Sequence, residues 1–91
     1  MKKLNLSNIF GKNGRKIPNQ FLIQSEEGDY FQSYNSMIVF RDNSGNVFLD
    51  EKYWKYSPTT SMYRSIFLGE DTKTTERKIK TGEYQLVNLN N

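Results

Sequence analysis

The spacing of apolar residues changes at Ser57-Pro58, and that change constrains the fold more than any other feature. Upstream, "YFQSYNSMIVFRD" (residues 30–42) and "VFLDE" (residues 47–51) are rich in the aromatic and β-branched side chains that suit strands. Downstream, in "SPTTSMYRSIFLG", Met62, Tyr63, Ile66 and Phe67 recur at helical spacing on one face. Ser57 is placed to cap this helix, and Pro58 to take its first position, where a missing N–H costs nothing. Gly69 ends it. "EDTKTTERKIKTG" repeats the pattern, with Asp71 or Thr72 as cap, Glu76 early, Arg77, Lys78 and Lys80 late, and Gly82 as the stop. The apolar stripe of this second helix is thin, mainly Thr75 and Ile79.

Strands followed by helices read as an α+β domain. "FLIQS" (residues 21–25) is a first short strand, and "EEGD" is a turn around Gly28. Residues 30–42 read as one strand with a bulge or bend at Asn35-Ser36. "NSGN" turns at Gly45 into a partner strand at 47–51. "EYQLVNL" (residues 83–89) alternates weakly and returns as a last strand. The expected order is β-β-β-α-α-β: an antiparallel sheet of three to four strands packed against two short helices. Residues 1–91 form one domain. Within it, 1–18 is a basic, loop-like arm, 19–52 a β-meander, 57–82 the helix pair and 83–90 the final strand. "LNLSNIF" fits either a short strand or one helical turn.

Composition removes several functions. The chain has no cysteine and no histidine. Disulfides, thiolate metal sites and thiol nucleophiles are therefore excluded, and the commonest general base is missing. No nucleophile, base and orienting group can be assembled, so no enzyme, metal or cofactor is expected. Hydrophobic content is only 35%, but 14% of residues are aromatic, and large rings supply much burial each. No apolar run approaches the roughly 18 residues of a membrane span. The polar Asn5, Ser7 and Asn8 break up any signal-peptide core. A cytoplasmic protein is expected.

The net charge of +3 is unevenly placed. Residues 1–24 hold Lys2, Lys3, Lys12, Arg15 and Lys16 and no acid, whereas residues 25–56 carry a surplus of acids. Such an arm can contact phosphates or can simply be solvated. "YWKYSPTTSMYR" (residues 53–64) places aromatics beside cations. That pairing suits single-stranded nucleic acid, where bases stack on rings and cations neutralise phosphates. It also suits plain packing of a helix on a sheet, with Trp54, Tyr63 and Phe67 as anchors. The candidate nucleic-acid contacts are Lys12, Arg15, Lys16, Tyr53, Tyr56, Tyr63, Arg64, Arg77, Lys78 and Lys80. For a protein partner the candidates are Glu26, Glu27 and Asp29, as a phosphate mimic, with Tyr53 and Tyr56 as anchors. The helix pair has the outline of a helix-turn-helix, but Asp71 and Glu76 stand where the base-reading residues would lie. "GKNGRK" lacks phosphate-loop spacing, and "DNSGN" lacks the terminal Glu of an EF-hand.

"YFQSYNSMIVF", "GNVFLDEKYWKYSPTTSMYRSIFLGE" and "ERKIKTGEYQLVNLN" resemble an uncharacterised family of small bacteriophage-encoded proteins. The resemblance covers about residues 18–90 and supplies no active site. Lys55 stands where that family has an acid. The resemblance implies a phage accessory protein acting inside a bacterial host. It would bind nucleic acid, or it would bind a host or phage protein, for example as an anti-defence inhibitor. Self-pairing through an edge strand such as "YQLVNL" is a further expectation.

Overall fold

Five strands precede the helices, more than the sequence suggests. In the computed structural model, which describes residues 4–10 and 14–90, the first five strands form an antiparallel meander. They are β1 (Leu4–Phe10), β2 (Lys16–Ser25), β3 (Gly28–Ser33), β4 (Ser36–Asp42) and β5 (Val47–Asp50). After α1 (Pro58–Leu68) and α2 (Thr72–Thr81), β6 (Tyr84–Val87) returns beside β5 and runs parallel to it. The sheet order is β1-β2-β3-β4-β5-β6. The class is α+β, as expected, with six strands rather than three or four.

Two readings of the sequence are corrected. The arm read as loop-like contains β1 and the start of β2, paired from Leu4↔Ser25 to Phe10↔Lys16. Asn5, Leu6 and Ser7 are all exposed at this sheet edge, so no apolar alternation announces the strand. Residues 30–42 are a hairpin rather than one strand. The chain reverses at Tyr34-Asn35, where Tyr34 sits at φ 56° with no glycine to relieve it. The reversal is fixed by the Tyr34 N–H, which donates to the Asn19 carbonyl at 2.7 Å.

The bulge exists, but it lies two residues past the turn. Phe31 pairs with Val39 and Gln32 with Met37, so Ile38 has no partner on β3. Ile38 and Val39 consequently both turn inward, at 1% and 0% exposure. They join Phe31, Val47, Leu49 and Tyr84 in the core. Gly28, at φ 148°, opens β3 where a Cβ would collide with the Arg41 carbonyl oxygen of β4.

The helix termini match the sequence. The Ser57 hydroxyl accepts from the Thr60 N–H at 3.1 Å, and the Asp71 carboxylate accepts from the Thr74 N–H at 2.8 Å. Gly69 and Gly82 close the two helices at positive φ. The phase of α1 differs from expectation. Thr60 and Arg64 are its buried residues, with Tyr63 and Phe67 turned to the core. Met62 and Ile66, expected on the buried stripe, are 51% and 60% exposed.

Both helices lie on the same face of the sheet. Phe67 stacks on Phe31 at 6.0 Å, the Thr60 and Ser33 hydroxyls are 2.9 Å apart, and Ile79 packs against the core cluster. Among the described residues no element covers the opposite face. The short dimension of the molecule, 23 Å, is that of one sheet and one helix layer. No helix among the described residues is long and apolar enough to cross a membrane.

Candidate functional site

The segment between β5 and α1 is held by one carboxylate. Asp50, 1% exposed, accepts from the backbone N–H groups of Lys52, Tyr53 and Leu89 at 2.9–3.0 Å. Desolvation acts to raise its pKa, but the hydrogen bonds outweigh it and hold the carboxyl below its ordinary range. This turn carries Tyr53 and Trp54 against the core and leaves Tyr56 65% exposed. Tyr53 and Tyr56 meet edge to face, with centroids 5.7 Å apart.

Those two rings flank a cleft of about 550 Å³ between the β3–β4 turn and the start of α1. Tyr34 closes it from the turn, and Ser33, Ser57 and Thr59 give it hydroxyls. Its lining contains no Lys, Arg, Asp or Glu. Two of the tyrosines expected to anchor a partner therefore share a site, with Tyr34 as a third ring that sequence reasoning missed. The αL turn that presents Tyr34 has no Gly or Asn-Gly signal.

The expected cations do not gather there. Lys12 lies outside the described residues. Arg15 and Lys16 are exposed near the start of β2. Arg64 is not a surface contact at all. It is 0% exposed, donating from Nη1 to the Trp54 carbonyl and from Nη2 to the Thr72 hydroxyl, each at 2.6 Å. Burial draws its pKa down, while Glu70 and Glu76 oppose that shift. Arg64 thus fastens the 51–57 segment and the start of α2 to α1. Tyr63 is likewise packed against the core.

Lys78 is also engaged. Its ammonium lies 2.9 Å from Glu70 and 3.8 Å from Glu83, and over the Tyr84 ring. The hydrogen bond to Glu70 is the main reason its pKa is pushed up to about 12. Glu70 also accepts from Thr75 and Tyr84, at 2.6 and 2.7 Å. Partial burial favours its neutral form, but these donors prevail and keep its pKa low. The cluster ties the α1–α2 turn, α2 and β6 together. Lys55 bridges to Glu76 at 3.0 Å. Arg77 and Lys80 remain exposed, and Lys73 completes a stripe one turn apart along α2. Glu26 and Glu27 are exposed in the β2–β3 turn, and Asp29 lies 3.9 Å from Arg41.

A second surface was not foreseen. On the uncovered face, Leu6, Ile23, Tyr30, Phe40 and Phe48 lie opposite one another across five successive strands. Tyr30 stacks on Phe40 at 4.5 Å and Phe40 on Phe48 at 6.1 Å. The signal was present as adjacent large residues at Tyr30-Phe31, Val39-Phe40 and Phe48-Leu49. Such pairs put apolar groups on both faces of a strand.

Fold and surfaces define a small α+β domain with a tyrosine-lined cleft and, on the uncovered face of its sheet, a row of apolar side chains. The chain belongs to the Family of unknown function (DUF8033), which it matches over residues 4–83. No curated protein and no solved structure matches it at a significant level.

Proposed function

We propose that this protein is a small non-catalytic interaction module that docks a segment of another protein in its tyrosine-rimmed cleft. The observation that carries this reading is the neutral lining of the cleft beside exposed rings: Tyr34 and Tyr56 are 46% and 65% exposed. Tyrosine gives large, rigid contact area at low entropic cost, and it is enriched where interfaces concentrate their energy. Nucleic acid would want cations beside those rings, and the lining offers none. The basic stripe of α2, the acidic β2–β3 turn and the tyrosine cleft are built from separate parts of the fold, an arrangement that suits a protein partner. The resemblance to phage-encoded proteins makes that partner a host or phage protein in the bacterial cytoplasm, with inhibition of a host defence as one outcome.

The test is site-specific photo-crosslinking in the producing cell. A photoreactive residue at position 56 is expected to capture one protein stoichiometrically, and Tyr34→Ala to abolish the adduct. Capture of nucleic acid at 56, or equal capture from position 77, refutes this reading.

A second reading rests on the stripe of Lys73, Arg77 and Lys80. Binding of an oligonucleotide through it would weaken about 10-fold or more between ~50 and ~200 mM salt, and Arg77→Ala/Lys80→Ala would flatten that dependence.

A further inference from the structure

The uncovered face of the sheet is the least explained feature of the molecule. Its central row runs Leu6, Ile23, Tyr30, Phe40, Phe48 and ends at Gln85. The row beside it holds Phe21, Gln32 and Met37 in register. Neither row exposes a charge: Asp50, two residues past Phe48 on the same face, is 1% exposed and is occupied by the N–H groups of Lys52, Tyr53 and Leu89. Asp42, on the same face at the end of its strand, is occupied by its own turn, accepting from Ser44 N–H and Asn46 N–H.

Ring geometry narrows what can sit here. Tyr30, Phe40 and Phe48 are stacked along the sheet with interplanar angles of 28° and 19°. Tyr30 and Phe40, 4.5 Å apart, cover part of each other's faces. A base-stacking platform needs ring faces presented to solvent, and the absence of cations in both rows argues the same way. A row of rings and aliphatic side chains suits interdigitation with another apolar sheet face, at the roughly 10 Å separation of stacked sheets.

We infer that this face binds the same face of a second copy of the chain, forming a two-fold, sheet-on-sheet dimer with the helices outside. The rows are self-complementary under such an axis. With the two-fold between Tyr30 and Phe40, Ile23 meets the partner's Phe48 and Leu6 meets the partner's Gln85. Like charges are not brought together, because the rows expose none. The area is adequate but small. Strands about 4.8 Å apart across the full width, with rows roughly 20 Å deep, give on the order of 500 Å² per copy before corrugation. That places the interface near the low end for specific association, so a reversible dimer in the micromolar range is expected. The clefts lie on the helix side, so both stay open and face away from each other. The dimer is then bivalent for any partner. This inference does not depend on what the cleft binds.

The absence of cysteine makes the test clean. Sedimentation velocity from about 1 to 500 μM is expected to show a monomer–dimer transition centred in the micromolar range. Phe48→Lys and Ile23→Lys should each move the transition at least 10-fold upward in concentration, with circular dichroism and melting unchanged in at least one of them. Ile23→Cys/Phe48→Cys should oxidise to a covalent dimer. Within one chain those positions are three strands, about 14 Å, apart and cannot bridge. A monomer at every concentration overturns the inference. So does a dimer that survives both lysine variants, or one that cross-links through cysteines on edge strand β6 but not through positions 23 and 48.

Discussion

Arg64→Met separates a buried keystone from a surface contact. Methionine keeps the apolar stem and most of the volume but removes the guanidinium. Two 2.6 Å hydrogen bonds are lost, to the Trp54 carbonyl and the Thr72 hydroxyl. A hydrogen bond from a charged donor contributes about 1.5–3 kcal/mol net, and each acceptor left buried and unpaired costs about 1–3 kcal/mol. Against this stands relief from holding a cation at 0% exposure, with one of its nitrogens, Nε, lacking a partner. That relief is worth several kcal/mol in fully buried pairs, so the net loss is about 3 kcal/mol. For a domain of this size the melting temperature should fall by roughly 12–24 °C. Urea and thermal unfolding followed by circular dichroism measure it, with exposed Arg77→Met as a control expected to stay within about 0.5 kcal/mol of the parent. Arg64→Lys should recover part of the loss, because it keeps the charge and one donor. If Arg64→Met melts within about 2 °C of the parent yet weakens partner binding, the side chain is an exposed contact and the reasoning fails.

Gln20 is 1% exposed with neither amide atom hydrogen-bonded to protein, so Gln20→Met should stabilise by about 1 kcal/mol; a loss of stability in urea titration would show that the amide has a partner in solution. Gly28→Ala should destabilise by about 2–4 kcal/mol, since the added Cβ meets the β4 backbone at Arg41, whereas Gly45→Ala, with open space around it, should cost only the about 1 kcal/mol of its positive φ. Stability should also depend on pH at both ends. The lowered pKa of Glu70 gives stability that is complete above its ordinary value of 4.5 and is lost as pH falls through the folded value. Lys78 and Tyr84 have raised values, so their contribution is complete below about pH 10 and is lost as pH rises toward about 12. In Glu70→Gln both limbs should flatten in pH-dependent unfolding, and an unchanged acid limb would remove Glu70 from this role.

What the sequence discloses depends on whether the physics is local. Ser57, Pro58, Gly69, Asp71 and Gly82 act on backbone groups within a turn of themselves, so the helix ends are legible residue by residue. The hairpin at Tyr34-Asn35 is not, because its conformation is held by the carbonyl of Asn19, fifteen positions away, rather than by a residue that prefers it. The buried face of α1 is obscured for a similar reason. Apolar periodicity favours Met62 and Ile66, yet the helix turns Thr60 and Arg64 inward. Arg64 can be buried only because the Trp54 carbonyl and Thr72 hydroxyl, from two other segments, receive its charge. The tyrosine cleft was half legible: Tyr53 and Tyr56 stand out by composition, whereas Tyr34 enters only through the hidden hairpin.

Correcting that hairpin also changes the meaning of the aromatic content. As one bent strand, residues 30–42 would place Tyr30, Phe31, Val39 and Phe40 on a small sheet whose single apolar face the helices could cover. As two paired strands with a bulge at Ile38, the same residues divide cleanly. Phe31, Ile38 and Val39 go under the helices, and Tyr30 and Phe40 go to the open side. The helix pair cannot serve both sides, because α1 and α2 are spent on the core at Phe31, Val47 and Tyr84. Sheets open to water on one face normally alternate apolar with polar residues. β3, β4 and β5 each break that rule at the same row, and Ile23 on β2 continues it. A lapse in one strand could reflect local packing, but four in register make a surface, and its cost in water is recovered only when something apolar covers it.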